Sequence, residues 1–300
     1  MHTTRLDART PSGRRIAVWR SAPNPAPAEE GPIVVMCPGF TKSIDQLTCA
    51  ALFLTANGAT VYRFDPLDHV GLSDGTIEHY TLTATMRSFE SVLNLVGARE
   101  GHRPIVVIAT SLSARPALRA VASSPDVDRL ITVVGVVCPR DTIAAAFGEE
   151  LVGLARHALP PLVSLGNHQI CPAAMFDDDA AHGWHALEGT LSDIDALRIP
   201  IVAVYADRDS YVAADQVERA FGRSSRHRLV KIDAGGHDLD GDISASLHVL
   251  SALTAAACTP DPLVANLEPT VVPSLAAIEE AFAGERSWAE AQGAFPGLGS

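Results

Sequence analysis

Short apolar runs that stop abruptly, each followed by a stretch with helical spacing, constrain this chain more than any other feature. Ile33-Val34-Val35-Met36-Cys37 is apolar throughout, as a strand buried on both faces must be. Thr60–Asp65, Pro104–Ala109, Leu130–Val137 and Ile199–Tyr205 repeat the pattern, and Arg228–Ile232 is read as the last strand. Helical segments separate them: residues 44–57, ended by Asn57-Gly58, then 81–99, then Ser111 onward, with Ile243–Ala257 closing the series. Strand and helix in alternation, with strands this apolar, predict a mostly parallel sheet covered by helices on both faces.

Other segments decorate that sheet. Residues 5–20 alternate around Pro11-Ser12-Gly13 and read as a hairpin at the sheet edge. Ser21–Pro32 holds four prolines and reads as an exposed loop. The residues between Pro139 and Arg198 are too many for one crossover, and are expected to form a cap over the carboxyl edge of the sheet. They include Leu151–Leu159, a Pro160-Pro161 break, and Asp177-Asp178-Asp179 beside His182, Trp184 and His185, read as a solvated acidic loop. The expected division is a core of 1–140 and 198–258, a cap of 141–197, and a tail of 259–300. That tail carries a helix over Ser274–Phe282 and a Gly-rich end expected to fray.

Composition narrows the function classes. A hydrophobic content of 47% with 19% charged residues belongs to a globular protein with a sizeable core. A net charge of −12 without a basic run excludes nucleic acid as the expected partner. Cys37, Cys49, Cys138, Cys171 and Cys258 are scattered and contain no C-x-x-C pair, so neither a zinc site nor a disulfide framework is expected. A reducing cytoplasm is the expected location. The polar N-terminus does not resemble a signal peptide, and no apolar run reaches the length of a membrane span.

The chemistry is expected at the strand ends. Val106–Ala109 runs into Thr110-Ser111-Leu112-Ser113 and then a helix, the outline of a strand–turn–helix with a serine at its tip. The α/β-hydrolase nucleophile elbow, G-x-S-x-G, has this outline, with Ala109 and Ser113 standing here where that pattern has glycines. Asp209 follows the penultimate strand and His237 the last one, giving the order Ser, Asp, His that α/β-hydrolases use. A serine hydroxyl becomes nucleophilic when an imidazole takes its proton and a carboxylate holds that imidazole. The catalytic set is therefore read as Ser111, Asp209 and His237. Asp209 is chosen over Asp207 because Asp209-Ser210-Tyr211-Val212 has the D-x-x-V form, and Asp238 is read as a solvated neighbour. Oxyanion donors are expected from the backbone N–H of Leu112 and of Phe40, with Gly39 letting the chain turn in close. Each residue also has a plainer role: Ser111 or Asp209 could cap a helix, and a histidine after Gly235-Gly236 could be an ordinary loop residue. Ser73 is set aside as a nucleophile, Cys37 is placed in the core, and no metal ligand set or cofactor is expected.

Three longer stretches resemble one family. Ala109–Arg115 is similar to the A-x-S-x-S-A-R elbow of the acyltransferases (myristoyl-acyl carrier protein thioesterases) of bacterial bioluminescence operons. Tyr62–Gly75 resembles that family's F-R-Y-D-x-L-x-H-V-G-L-S-x-G, and Ile131–Thr142 its I-T-x-V-G-V-V-x-x-R-D-T. The similarity runs from about 15 to 245 and is weak over the cap, where His182–Leu191 keeps a trace of H-x-W-x-x-L. It implies an α/β-hydrolase fold and a serine acyl-hydrolase or acyltransferase. It also implies Ser111, Asp209 and His237 as triad, and acyl carrier protein or acyl-CoA as donor. A carboxylester or carbon–carbon bond hydrolase on the same triad, or a silent binding protein, are the alternatives. Arg115, Arg119 and Arg140 are candidate contributors to a basic patch for an acidic carrier.

Overall fold

The computed structural model describes residues 1–24, 31–101, 103–233, 235–239, 243–263 and 271–291. In chain order the strands are β1 (His2–Arg9), β2 (Arg15–Ala22), β3 (Ile33–Cys37), β4 (Thr60–Phe64), β5 (Ile105–Thr110), β6 (Val127–Val133), β7 (Val163–Leu165), β8 (His168–Ile170), β9 (Ile201–Ala206) and β10 (His227–Ile232). The helices are α1 (Thr48–Ala56), α2 (Leu82–Glu100), α3 (Ala114–Ala122), α4 (Pro139–Phe147), α5 (Glu149–Gly153), α6 (Pro172–His182), α7 (Leu187–Ala196), α8 (Ala214–Phe221), α9 (Ile243–Cys258) and α10 (Leu275–Ala291).

Among the described residues, eight strands form one sheet in the order β1-β2-β4-β3-β5-β6-β9-β10. β1 and β2 form the antiparallel hairpin at one edge, β2 runs antiparallel to β4, and every pairing from β4 onward is parallel. The pleat divides the core into two layers. Ile33, Val35, Cys37, Ile105, Val107 and Ala109 face the side covered by α2, α3 and α8. Val34, Met36, Val106 and Ile108 face the side covered by α1 and α9. With helices on both faces, the strands need no polar alternation, which is why they read as unbroken apolar runs.

Several expected boundaries move. The helix expected over 44–57 begins as a 3₁₀ turn, Ile44–Leu47, before α1. The strand expected over Leu130–Val137 ends at Val133, because Val134 turns to φ +44 and Gly135 lies close against α3. A Cβ on Gly135 would sit 2.9 Å from those of Ala114 and Thr132. Asp177-Asp178-Asp179 is not a loop but the middle of α6, and each carboxylate has a different partner. Asp177 takes Arg156 at 2.8 Å, Asp178 accepts the Thr83 N–H at 3.0 Å, and Asp179 lies 2.8 Å from His185. The tail helix is longer than expected. Residues 25–30 of the proline-rich loop and the Gly-rich end from 292 lie outside the described residues.

The tail helix is tied to the core by charge. Arg63 on β4 is fully buried and pairs with Glu285 of α10, while its guanidinium also donates to Ser21 Oγ at 2.9 Å and the Ile44 carbonyl at 3.3 Å. The Trp19 ring lies 5.5 Å from the guanidinium carbon. Removing one member strands a buried charge, whereas replacing both with apolar groups removes the desolvation penalty as well. Glu285→Ala should therefore cost roughly 3–5 kcal/mol in urea unfolding, and Arg63→Met combined with Glu285→Leu should recover most of it. A Glu285→Ala cost below about 1 kcal/mol would mean that the pair behaves as an exposed one.

Candidate functional site

The sheet order reverses at β3, which lies between β4 and β5, and open α/β sheets bind ligands where such a reversal falls at the carboxyl ends. Cys37 pairs with Ala109 across β3 and β5, so the residues two further along each strand, Gly39 and Ser111, emerge side by side. A Cβ on Gly39 would lie 3.0 Å from that of Ser111, tighter than side chains normally pack, so glycine lets the two turns touch.

Ser111 occupies the left-handed region at φ +52, uncommon for a residue with a Cβ. Neighbouring bonds hold it there. The Ser113 hydroxyl accepts the Thr110 N–H at 3.0 Å and donates to the Thr110 carbonyl at 2.8 Å, while Val136 N–H donates to the Ser111 carbonyl at 3.0 Å. Ser113 therefore supplies the turn with two bonds where G-x-S-x-G supplies only a small residue. From this turn Ser111 Oγ reaches His237 Nε2 at 2.7 Å.

His237 stands beyond β10 on a turn closed by the Leu239 N–H to the Gly236 carbonyl at 3.2 Å. The Arg208 N–H, given to the Gly235 carbonyl at 3.1 Å, ties that turn to the loop after β9. The ring's Nδ1 lies 2.7 Å from Asp209 Oδ2, and Tyr211 meets the ring edge-on at 5.1 Å. Asp209, with its side chain 1% exposed, accepts the N–H groups of Tyr211 and Val212 on its other oxygen at 2.8 and 2.9 Å. The turn-capping role and the contact with His237 thus coexist in one carboxylate. With the Nδ1 proton turned to Asp209, Nε2 presents its lone pair to the serine hydroxyl. Asp207 is exposed. Asp238 points to Lys42 at 3.4 Å, a half-exposed pair.

The turn after β3 is closed by the Lys42 N–H to the Gly39 carbonyl at 3.1 Å, and Thr41 within it has φ +65. The Thr41 N–H is committed to His69 Nε2 at 3.1 Å, and no acceptor among the described residues takes the Phe40 N–H. His69 is a contact that sequence reading missed. Its signal is the His in Asp68-His69-Val70-Gly71. That loop is pinned by buried Asp65, which accepts the N–H groups of Ile44 and Leu72, both at 2.8 Å. Burial pushes the Asp65 carboxyl up to about 7 despite those donors. Ser73, set aside as a nucleophile, accepts the Ala17 N–H at 2.9 Å and donates to the Asp65 carbonyl at 2.6 Å.

A cavity of about 390 Å³ opens against Ser111 and His237. Ile143, Ala146 and Phe147, one face of α4, line it together with Leu165 of β7, Met175 of α6 and the strand-end residues Val133 and Val134. The basic-patch expectation fails for Arg115, which is fully buried. It pairs with Asp193 of α7 at 2.5 Å and stacks on buried Trp184 at 5.1 Å, a site in which no carrier could meet it. Arg119 pairs with the same Asp193 at 2.7 Å.

The fold is that of the α/β-hydrolases. Solved structures of that architecture superpose over most of the chain at low sequence identity. The esterase Est1E of Butyrivibrio proteoclasticus with ferulic acid bound matches at a TM-score of 0.69 and 18% identity, covering 84% of this chain and 98% of that one. The esterase domain of a Rhodothermus marinus protein matches at 0.61 and 18% identity, covering 85% and 97%. The family is narrower than the fold: the sequence profile of the acyl transferases matches residues 6–287, and the chain belongs to that family. It is 30% identical over 252 residues to the acyl transferase of Vibrio campbellii, covering 83% of this chain and 82% of that protein. To the acyl transferase of Photorhabdus laumondii it is 31% identical over 251 residues, covering 83% and 81%.

The pH dependence of stability reports on His69. Burial pushes its ring down to about 3, against about 6.5 in an unfolded chain. Between those values the unfolded chain takes up a proton that the folded chain refuses, so this contribution is complete above about pH 6.5 and is lost as pH falls toward about 3. His69→Gln, which does not titrate, should lose melting temperature less steeply than the wild type between about pH 8 and about pH 4.5. Equal slopes would mean that His69 is free to protonate in the folded chain.

Proposed function

We propose that this chain is a serine acyl transferase or hydrolase that takes fatty-acyl or related groups from thioesters of acyl carrier protein or coenzyme A. The observation that carries the reading is the continuous path from Ser111 Oγ through His237 to Asp209, 2.7 Å at each step, beside an apolar cavity. Family membership supports acyl transfer as the reaction, and the cavity lining supports an apolar acyl group.

In this mechanism Ser111 is the nucleophile, and its proton passes to His237 Nε2 as Oγ attacks the thioester carbonyl. The carbonyl oxygen becomes an oxyanion held by the N–H groups of Leu112 and Phe40. Asp209 keeps the ring in the required tautomer and stabilises the imidazolium. Collapse of the intermediate expels the thiolate, which takes the proton from His237 and leaves the acyl group on Ser111 as an oxygen ester. Water or another nucleophile, deprotonated by His237, then releases the acyl group. The cap over 141–197 holds the acyl chain through α4, β7 and α6.

Steady-state kinetics on matched thioester and oxygen-ester substrates of one chain length test the reading. Ser111→Ala should lower kcat by roughly five to six orders of magnitude and Asp209→Asn by roughly four, with the thioester favoured in the wild type. Full activity in Ser111→Ala would refute the mechanism, and a preference for the oxygen ester would move the assignment to a carboxylester hydrolase.

A further inference from the structure

We infer that His69 is a positioning residue for the oxyanion turn, holding the Gly39–Lys42 turn in the form that presents the Phe40 N–H to the reacting carbonyl oxygen. The inference rests on the acyl-serine reading above and adds a residue to it.

A bond from the N–H of the fourth residue to the carbonyl of the first, with positive φ at the third, is the pattern of a type II turn. Glycine normally fills that third position, and here it is Thr41, whose β-branched side chain disfavours φ +65. A turn left to itself would relax to type I, with negative φ at Thr41, by rotating the Phe40–Thr41 peptide. Strained backbone of this kind persists only where its surroundings over-determine it.

His69 supplies that constraint. Its Nε2 accepts the N–H of the peptide that would rotate, at 3.1 Å. Rotation would take that N–H off the ring and turn the Phe40 carbonyl toward a nitrogen lone pair. The ring can serve as acceptor only while neutral, and its burial at 5% exposure keeps it so. The same ring packs on Phe40 at 5.7 Å and on Tyr80 at 5.4 Å, and Phe40 packs on Tyr80 at 4.6 Å. Peptide and side chain of the donor-bearing residue are therefore held from one side. The flip changes ψ of Phe40 and φ of Thr41 and leaves φ of Phe40, which aims its N–H, nominally the same. The clamp acts by fixing Phe40 about its Cα, with the following peptide bonded to His69 and the side chain packed on its ring. Loss of the acceptor therefore removes one of the two restraints on the direction of that N–H. A donor that must be aimed at an oxyanion loses its value in the transition state before it affects ground-state binding.

The test compares His69→Phe, which keeps the aromatic packing and removes the acceptor, with His69→Gln, whose amide oxygen can accept the Thr41 N–H. His69→Phe should lose at least about tenfold in kcat with KM changed less than about twofold, and its affinity for an alkyl trifluoromethyl ketone should fall in parallel with kcat/KM. His69→Gln should recover most of the kcat. In a Thr41→Gly background, where positive φ is free of strain, the His69→Phe loss should shrink, and this arm stands in if the single variant does not fold. Undiminished kcat in His69→Phe, equal impairment in His69→Gln, or the same loss in the glycine background would each overturn the inference. Wild-type protein without thioester turnover would instead overturn the proposed function and the inference with it, whereas normal wild-type turnover and Ser111 labelling with an unaffected His69→Phe would overturn the inference alone.

Discussion

The adjacency of β3 and β5 organises the site. Two parallel strands in register, Cys37 beside Ala109, deliver two turns to one place at the sheet's carboxyl edge. One turn bends left-handed at Ser111 and the other at Thr41, and their contact is close enough that a side chain on Gly39 would crowd Ser111. Strand pairing is stiff, so the spacing between the serine and the turn after β3 is set by hydrogen bonds far inside the core rather than by the loops themselves. His237 and Asp209 arrive from β10 and β9, again a neighbouring parallel pair, so both halves of the site have rigid supports.

Buried charge plays a second organising part at the periphery. Arg63 joins the tail helix to β4 through Glu285, and Arg115 joins α7 to α3 through Asp193. Both guanidiniums also lie over buried indoles, Trp19 and Trp184. Such pairs add little net stability over apolar replacements of the same size, but a misplaced partner leaves a charge stranded. Arg115 lies four residues beyond Ser111, so the helix that follows the Ser111 turn is the one that anchors α7.

Much of this was legible in the sequence because the signals were local. A strand buried on both faces announces itself as an apolar run, and its end marks where chemistry can sit. Ser111, Asp209 and His237 all fall at such ends and meet in space, while Asp207 turns outward. The misreadings concern long-range partners. Arg115 read as a surface cation because Asp193 and Trp184, nearly eighty residues away in sequence at the farther of the two, leave no local trace of the pocket that buries it. The Asp177–Asp179 run read as a loop because consecutive carboxylates suggest solvent, whereas Arg156 and Thr83 come from other segments, and His185 from just beyond the end of α6, to receive them. His69 went unrecognised for the same reason, since its partner is a backbone N–H twenty-eight positions earlier.

In the proposed mechanism the acyl group passes through an ester on Ser111. Rapid acid quench of the full chain during turnover of an acyl-CoA chain-length series, followed by intact-mass measurement and peptide mapping, tests it directly. One added acyl mass per chain is expected, mapped to Ser111 and absent from Ser111→Ala. Turnover with no adduct at any quench time, or with the acyl group on another residue, would contradict it.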